Sequence, residues 1–138
     1  MKVVGVDLDG IITKVGFYNP SIRLPWRLFY LLVPVILLLK PDRVKAEKLQ
    51  LIKNKGCEII IVTARPVQLT QITKQWLIFY NIPFDSLFCV GFGKGTNERK
   101  LKVIRDEKME VYIDNDSRAV EFMQRNSVKA VSSLDYLN

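Results

Sequence analysis

The chain has 138 residues, 49% of them hydrophobic, and 21 Lys and Arg against 14 Asp and Glu give it a formal net charge of +7. This length suits one domain, 1–138, with enough apolar material for a core. The sequence contains no histidine, which excludes histidine-based catalytic triads and histidine metal sites. The charge favours anionic partners such as phosphate esters, nucleic acid or a lipid surface, although it equally fits a basic protein that is merely soluble.

The first predicted element is a short, β-branched strand, Val3–Val6, which is followed by Asp7, Leu8, Asp9 and Gly10. Such a run is typical of a parallel strand buried on both faces, and α/β sheets bind ligands at the carboxyl ends of their strands. We expect Leu8 to point away, so that both carboxylates serve one reaction centre, and Gly10 to allow a tight turn. Two close carboxylates repel each other unless a cation lies between them, which predicts a divalent metal. The alternative is a surface turn with two solvated acids.

A small cap-like insert is predicted at about 14–41, and its residues 28–39 are almost entirely apolar. This run is shorter than the roughly 20 residues of a bilayer span and contains Pro34, so we do not expect a transmembrane helix. Three alternatives remain: a helical cap over the site, a homodimer interface through 24–39, or a peripheral membrane element with Trp26 and Tyr30 at lipid headgroups. A helix that is apolar all round needs apolar surroundings on every side, so we expect something besides the fold to cover it.

An amphipathic helix is predicted over 42–52 and a second strand over 57–62. The strand ends in Thr63, Ala64, Arg65 and Pro66, and proline suits the start of a following helix. The Thr63 hydroxyl and the backbone N–H groups of this turn, at Ala64, would together receive phosphoryl oxygens. An N-cap of the next helix is the other interpretation of Thr63, and the two roles are compatible.

A third helix–strand pair is predicted over 68–80 and 86–90. The helical spacing places four residues inward, namely Leu69, Ile72, Trp76 and Phe79. The loop 91–96 is glycine-rich, but its spacing differs from that of a nucleotide-binding P-loop. We therefore interpret it as a flexible rim.

A helix over 97–108 carries Lys100 near its start. A lysine close to the carboxyl edge of the sheet would neutralise phosphate and hold a nucleophile in place, and a solvated helix lysine is an equally good interpretation from the residues alone. The next strand, 109–113, leads into Asp114, Asn115 and Asp116, whose hard oxygen ligands suit Mg²⁺. Asp116 would alternatively be the N-cap of a helix over 118–125. A strand over 128–131 closes the sheet.

The two cysteines, Cys57 and Cys89, lie in predicted strands and have no metal-ligand spacing. They are typical of small core residues in a reducing compartment. The chain also begins directly with its first strand, which leaves no room for a signal peptide. We therefore expect a cytoplasmic location.

The order of four segments resembles the motif order of the haloacid dehalogenase superfamily of phosphohydrolases, over nearly the whole chain apart from the insert. The segments are Val-Gly-Val-Asp7-Leu-Asp9-Gly10, Ile-Ile-Val-Thr63, Lys100 and Tyr-Ile-Asp114-Asn115-Asp116. The resemblance implies an α/β fold with a Rossmann-like parallel sheet, helices on both faces and a small helical insert after the first strand. It also favours a catalytic role for Lys100.

The same resemblance implies an aspartyl-phosphate intermediate on Asp7, with Asp9 as general acid and then base. It implies Mg²⁺ bound by Asp7, the Asp9 carbonyl and the fourth motif, through Asp114 and Asn115. The residues that would bind the phosphorylated substrate are Gly10, Thr63, Ala64 and Lys100. Many phosphatase members have a second acid at the place of Asn115, so the ligand there differs, although an amide oxygen can coordinate the metal. Dehalogenating members lack an acid two residues after the nucleophile, so Asp9 favours phosphoryl transfer.

We therefore expect a Mg²⁺-dependent phosphatase that hydrolyses phosphomonoesters. A large second cap does not fit between Thr63 and Lys100, so an open site that accepts bulky polyanions makes a nucleic-acid-end phosphatase one alternative. Another alternative is a non-catalytic binding module that uses the apolar insert to hold a partner or a membrane surface. The insert is unlike the polar caps of members that act on sugars or nucleotides, so the resemblance does not identify the substrate.

Overall fold

The computed structural model describes residues 1–13 and 33–137, and the centre of this part is a five-stranded parallel sheet with the order β3-β2-β1-β4-β5. The strands are β1 Val3–Val6, β2 Glu58–Thr63, β3 Ser86–Cys89, β4 Val111–Ile113 and β5 Ala130–Val131. Every neighbouring pair in the sheet is parallel. The predicted Rossmann-like parallel sheet is thereby confirmed, and strand ends differ from the predicted ones by at most two residues.

Helices connect the strands, as parallel pairing requires. They are α1 Val33–Leu38, α2 Arg43–Asn54, α3 Thr70–Phe79, α4 Thr96–Asp106 and α5 Ser117–Arg125, with short 3₁₀ helices at Val67–Leu69 and Leu134–Leu137. The start of α2 is capped by Asp42, whose side chain accepts hydrogen bonds from the backbone N–H groups of Val44 and Lys45. Pro66 immediately precedes the 3₁₀ helix that leads into α3.

Two apolar cores lie on opposite faces of the sheet. Val4 and Val6 of β1 face the core that α2 and α3 cover, whereas Ile60 and Val62 of β2 face the core that α4 and α5 cover. Each fully buried aliphatic side chain contributes on the order of 1.5–3 kcal/mol to the stability of the fold, so packing on both faces stabilises the sheet. Leu8 is completely buried in the first core, as expected if it points away from the two carboxylates beside it.

The order of the strands fixes where a ligand can bind. From β1 the chain goes to β2 and β3 on one side, and it then returns across β1 to β4 and β5 on the other. This reversal of direction creates a crevice at the carboxyl end of β1, where α/β sheets bind ligands. The residues that follow β1, β2 and β4 meet in this crevice.

The predicted buried face of α3 is only partly correct. Leu69 and Trp76 are buried, but Phe79 is 77% exposed and Ile72 is half-buried. Thr73 and Leu77 are buried instead. Residues 67–69 form a 3₁₀ helix, so α3 begins two residues later than predicted, and a threonine occupies an inward position that a hydrophobic pattern cannot identify.

Most of the predicted insert, residues 14–32, lies outside the described residues. At the end of the insert, α1 carries Leu37 and Leu38, which are 55% and 80% exposed. The indole N–H of Trp76 donates a hydrogen bond to the Leu39 carbonyl at 2.9 Å, which fastens this end to α3. The cap, homodimer and lipid-contact hypotheses therefore stay predictions. Among the helices of residues 1–13 and 33–137, none has the length and hydropathy needed to cross a bilayer.

Asp85 joins the start of β3 to β2, and we predict that replacing it makes stability depend less on pH. Its carboxylate accepts hydrogen bonds from the Ile59 N–H at 2.8 Å and from Lys53 Nζ at 2.5 and 2.6 Å. Partial burial opposes its charge, but these hydrogen bonds hold the pKa of Asp85 below its ordinary value. A lowered pKa in the folded state stabilises the fold above the unfolded value of about 3.9, and this contribution is lost as the pH falls through the folded value.

Asp85→Asn should therefore lower the free energy of unfolding by about 1 kcal/mol at neutral pH, since the partly exposed ion pair is lost. The difference from the wild type should shrink as the pH falls from about 3.9 through the folded pKa, and urea titrations at neutral pH and at the acid end of this range measure it. An equal difference in the free energy of unfolding between variant and wild type at neutral and at acid pH would contradict this prediction.

Candidate active site

Asp7 occupies the first position after β1. Its backbone N–H donates to the Ile113 carbonyl at 2.8 Å, which continues the pairing of β1 with β4 by one residue. The residue is 6% exposed, so its carboxylate is held at the floor of the crevice rather than in solvent.

Lys100 links Asp7 to the end of β4. From α4, its Nζ donates to Asp7 Oδ1 at 3.0 Å and to Asp114 Oδ2 at 2.8 Å. Lys100 is only 5% exposed, so this is a buried ion pair and not a solvated helix lysine. Of the two interpretations that the sequence left open, the structure shows the lysine at the carboxyl edge of the sheet.

Asp114 is held on both of its carboxylate oxygens. The Tyr112 hydroxyl donates to Oδ2 at 2.9 Å, and the Asp116 N–H donates to Oδ1 at 2.9 Å. Burial raises the pKa of Tyr112 well above its ordinary value, so the hydroxyl keeps the proton that it donates. Asp116 itself caps α5 by accepting a hydrogen bond from the Arg118 N–H, which is the alternative role considered for it.

The electrostatic balance around Asp7 is unfavourable to its charge. Desolvation by burial, opposed by Lys100 and reinforced by the carboxylates of Asp114 and Asp9, raises the pKa of Asp7 to about 8. Burial would lower the pKa of Lys100, but Asp7 and the other anionic neighbours raise it well above its ordinary value, so the ammonium stays charged. The surroundings of Asp7 therefore lack positive charge even though they contain a lysine.

Asp9 forms a bidentate ion pair with Arg65, which follows β2. Arg65 Nε donates to Asp9 Oδ2 at 3.0 Å, and Arg65 Nη2 donates to Asp9 Oδ1 at 2.7 Å. Arg65 is 5% exposed, and its Nη1 also donates to Thr73 Oγ1 of α3 at 3.3 Å. Bidentate pairs of this kind fix both distance and orientation, so Arg65 positions the Asp9 carboxylate.

Thr63 is the last residue of β2, and Ala64 follows it in the turn that leads to Arg65. The Thr63 hydroxyl accepts a hydrogen bond from the Arg65 N–H at 3.2 Å and lies 3.5 Å from Asp9 Oδ2, to which it donates. The interpretation of Thr63 as a helix N-cap is wrong, because the 3₁₀ helix begins only at Val67 and its preceding residue is Pro66. Ala64 is half-buried at the turn.

Gly10 and Asn115 bring the ends of β1 and β4 into contact. Gly10 has a φ of +89°, and a Cβ atom there would lie 2.0 Å from Asn115 Nδ2 and 2.7 Å from Asn115 Oδ1. Only glycine fits, because any side chain would displace the amide. The amide of Asn115 is thereby placed against the loop that carries Asp9.

The residues in the crevice fit a hard divalent cation. Three carboxyl groups, those of Asp7, Asp9 and Asp114, face two cationic side chains, so the site holds more acidic than basic groups. In the ranges 1–13 and 33–137, no group of three or more His, Cys, Asp or Glu side chains could hold a metal. Mg²⁺, however, binds through one or two carboxylates with water and phosphate oxygens, which suits Asp7 and Asp114 with the Asp9 carbonyl and the Asn115 amide.

Arg65 is the site residue that sequence reasoning did not identify. Two features of the sequence point weakly to Arg65. It follows the polar end of a buried strand, and the two acids Asp7 and Asp9 have only Lys100 as a predicted counter-charge. Buried acids require cationic partners, and the second partner had to come from a neighbouring strand end.

Arg99 organises the glycine-rich loop after β3. Its guanidinium donates to the carbonyls of Val90, Gly91 and Lys94 at 2.6, 3.1 and 3.0 Å. The Gly91 N–H in turn donates to the Arg65 carbonyl at 3.0 Å, which attaches the loop to the turn that carries Arg65. The loop borders the site, and its predicted flexibility stays a prediction.

Comparisons with known proteins identify the fold. No protein-family model and no curated protein matches the chain. A chain of the Pnkp1/Rnl/Hen1 RNA repair complex matches 95% of this chain with a TM-score of 0.71 and 19% identity, over 42% of its own length. A heptose bisphosphate phosphatase from B. bronchiseptica, in complex with magnesium and phosphate, matches 99% of this chain and 96% of its own, with a TM-score of 0.64 and 8% identity.

A hydrolase of the haloacid dehalogenase-like family from Streptococcus pneumoniae matches 94% of this chain and 83% of its own, with a TM-score of 0.60 and 10% identity. This chain spans less than half the length of the RNA repair chains that it matches. The similarity to these structures therefore lies in the arrangement of strands and helices rather than in the sequence. As the motif order predicts, the chain has the haloacid dehalogenase-like fold.

Proposed function

We propose that the protein is a Mg²⁺-dependent phosphatase that hydrolyses phosphomonoesters through an aspartyl-phosphate on Asp7. The observation that carries this proposal is the buried Lys100 bridge between Asp7 and Asp114, with Asp9 held beside it by Arg65. A nucleophile, a cation and an acid with a separate partner are thereby collected at the carboxyl ends of three strands. The fold of the heptose bisphosphate phosphatase, with its magnesium and phosphate, supports the same reaction class.

Asp7 attacks phosphorus, and the bond from phosphorus to the leaving oxygen breaks. Lys100 orients the Asp7 carboxylate through Oδ1 and places positive charge next to the phosphoryl oxygens, which the Thr63 hydroxyl and the turn at Ala64 also face. Bound Mg²⁺ would be held by Asp7, the Asp9 carbonyl, Asp114 and Asn115, and it would supply the positive charge that the site lacks.

Asp9 handles the proton on the leaving group. In its protonated form Asp9 donates its proton to the departing oxygen, and it regains a proton from the water that hydrolyses the aspartyl-phosphate, which releases inorganic phosphate and restores Asp7. The ion pair with Arg65 occupies one acceptor position on each Asp9 oxygen, and each carboxylate oxygen has two. Asp9 therefore keeps an oxygen position that can face the substrate.

Hydrolysis of p-nitrophenyl phosphate tests the proposal directly. We expect turnover that requires Mg²⁺, is abolished by EDTA and returns when Mg²⁺ is restored. A protein that stays folded but shows no turnover with Mg²⁺ would contradict the proposal and favour the non-catalytic binding module.

A second candidate, a phosphatase acting on nucleic-acid ends, is favoured by the formal charge of +7 and by the structural similarity to a chain of an RNA repair complex. We expect oligonucleotides with a 3′- or 5′-phosphate to be hydrolysed with a higher kcat/KM than p-nitrophenyl phosphate at low salt. The advantage should decrease as salt rises, because phosphate contacts release counterions. Oligonucleotide phosphates that are hydrolysed no faster than the aryl phosphate would exclude this candidate.

A further inference from the structure

The end of α1 lies against α3 in the part of the chain that the structure describes. The indole N–H of Trp76, in α3, donates a hydrogen bond at 2.9 Å to the carbonyl of Leu39, the residue that follows α1. Leu39 also packs against the core that α2 and α3 cover. The residues just before Leu39 and those just after Trp76 therefore belong to one region of the surface.

This region carries large apolar side chains in solvent. Leu37 and Leu38 of α1 are 55% and 80% exposed, and Ile78 and Phe79 of α3 are 58% and 77% exposed. Among the large hydrophobic side chains that the structure describes, only that of the terminal Met1 is more exposed than those of Leu38 and Phe79. We call Leu37, Leu38, Ile78 and Phe79 the apolar patch. Scattered apolar residues are common on protein surfaces, but a group of them marks a contact with another surface.

Exposed lysines border the apolar patch. Lys40 lies two residues after Leu38, and Lys74 lies one turn before Ile78 on α3. The two sequence segments that contain the patch, 10–41 and 59–84, have no Asp or Glu, so all 14 acidic residues of the chain lie elsewhere in the sequence. Apolar side chains with cations beside them are complementary to an anionic lipid surface, whose acyl region accepts the first and whose headgroups attract the second.

Two other occupants fit the apolar patch less well. A second copy of this chain would bring the same lysines together across a two-fold axis. The acids nearest in sequence, Asp42 and Asp85, are already held by the start of α2 and by Lys53. Side chains as exposed as these protrude and do not line a groove, so they offer a folded partner little shape to match. A lipid surface needs no matching shape, because protruding apolar side chains insert into it.

We propose that the apolar patch, with Lys40 and Lys74, is a docking surface for a membrane that contains anionic lipids. The four apolar side chains enter the boundary between headgroups and acyl chains. The two lysines stay at the level of the headgroups, which their long apolar stems allow. This contact is separate from the proposed phosphatase reaction and does not depend on it.

Sedimentation with lipid vesicles tests the proposal on the full chain. We expect the wild-type protein to bind vesicles of phosphatidylcholine and phosphatidylserine, mixed at about 2:1, about tenfold or more tightly than vesicles of phosphatidylcholine alone at low salt. Binding to the anionic vesicles should weaken as the salt concentration rises, because salt screens the attraction between the lysines and the headgroups.

Variants of the apolar patch test which residues make the contact. Leu38→Ser and Phe79→Ser should each weaken binding to the anionic vesicles about tenfold, because each removes a large apolar side chain from the lipid. Both side chains are exposed, so neither exchange should lower the midpoint of thermal unfolding. Leu51→Ser is the matched control: it removes a side chain that is 61% exposed on α2, outside the apolar patch, and should leave binding unchanged.

Variants of the lysines test the electrostatic part of the contact. Lys40→Gln and Lys74→Gln should each weaken binding to the anionic vesicles about fivefold, which is the contribution of one basic residue close to such a membrane. Lys102→Gln removes one positive charge from an exposed position on α4 and should have no effect.

Three outcomes overturn the docking surface: no binding to either kind of vesicle, equal binding to both kinds at every salt concentration, or binding that Leu38→Ser and Phe79→Ser leave unchanged. Sedimentation equilibrium without lipid tests for a second copy of the chain. A dimer that Phe79→Ser converts to a monomer, together with absent vesicle binding, would assign the apolar patch to that copy and overturn the lipid contact. Failure of the phosphatase assay is distinguishable from all of these, because vesicle binding is measured without turnover.

Discussion

Asp7→Asn should reduce the hydrolysis of p-nitrophenyl phosphate by at least about 10⁴-fold, because the amide cannot form the aspartyl-phosphate. The fold should survive, since the amide oxygen still accepts the hydrogen bond from Lys100 that Asp7 Oδ1 accepts at 3.0 Å. The variant also removes a carboxylate that burial disfavours, so the midpoint of thermal unfolding should not fall. Steady-state kinetics and a melting curve on the same preparation measure both effects.

Asp106→Asn is the matched control for that experiment. It makes the same exchange of one oxygen for one nitrogen at an exposed position on α4, where Asp106 pairs with Lys102. We expect full activity from it. Asp7→Asn protein that is folded and still turns over at a wild-type rate would remove Asp7 as the nucleophile.

Arg65→Lys should affect poor leaving groups far more than good ones. The lysine keeps the charge but cannot form the two parallel hydrogen bonds that fix both oxygens of Asp9. The Asp9 carboxyl group would therefore no longer be oriented toward the leaving oxygen. Because general acid catalysis contributes about 10²–10⁴-fold, we expect a loss of about 10²-fold on an alkyl phosphate. The loss on p-nitrophenyl phosphate, whose leaving group needs little protonation, should stay under about tenfold.

The dependence of kcat/KM on leaving-group pKa separates this positioning role from a structural one. Both Arg65→Lys and Asp9→Asn should steepen it, and the double variant should be no worse than Asp9→Asn alone, because the two residues act as a unit. Arg105→Lys, an exposed exchange on α4, should leave the dependence unchanged. An equal loss on all leaving groups would show that Arg65 supports the structure and not the acid.

The arrangement of the strands could be predicted because the sequence patterns that produce it are local. The run Val3–Val6 is apolar on both faces, so it had to be a central strand, and polar residues that end neighbouring parallel strands must meet at one edge. Asp7, Thr63 and Asp114 follow from this reasoning alone. Lys100 required the family resemblance as well, because a lysine near a helix start has a solvated alternative.

The parts that could not be predicted depend on contacts between distant segments. Arg65 meets its partner Asp9 only when β2 lies next to β1. The residues around Arg65 in the sequence do not show whether its guanidinium is buried in an ion pair or solvated. Hydrophobic spacing predicts an inward Phe79 because it cannot show that Thr73 is buried, where it accepts a hydrogen bond from Arg65. Leu134 lies in a tail without a pattern, yet it is 4% exposed because the tail packs against the core beneath α2.

The two cations of the site come from different segments: Arg65 follows β2 and pairs with Asp9, whereas Lys100 lies on α4 and pairs with Asp7 and Asp114. In the proposed mechanism, the nucleophile Asp7 and the proton donor Asp9 therefore have separate cationic partners. Under that mechanism, exchanges around Arg65 would alter which alcohols depart and leave the attack on phosphorus intact, and exchanges around Lys100 would do the reverse. A directed-evolution library restricted to the surroundings of Arg65, or to those of Lys100, would therefore sample one of these properties at a time.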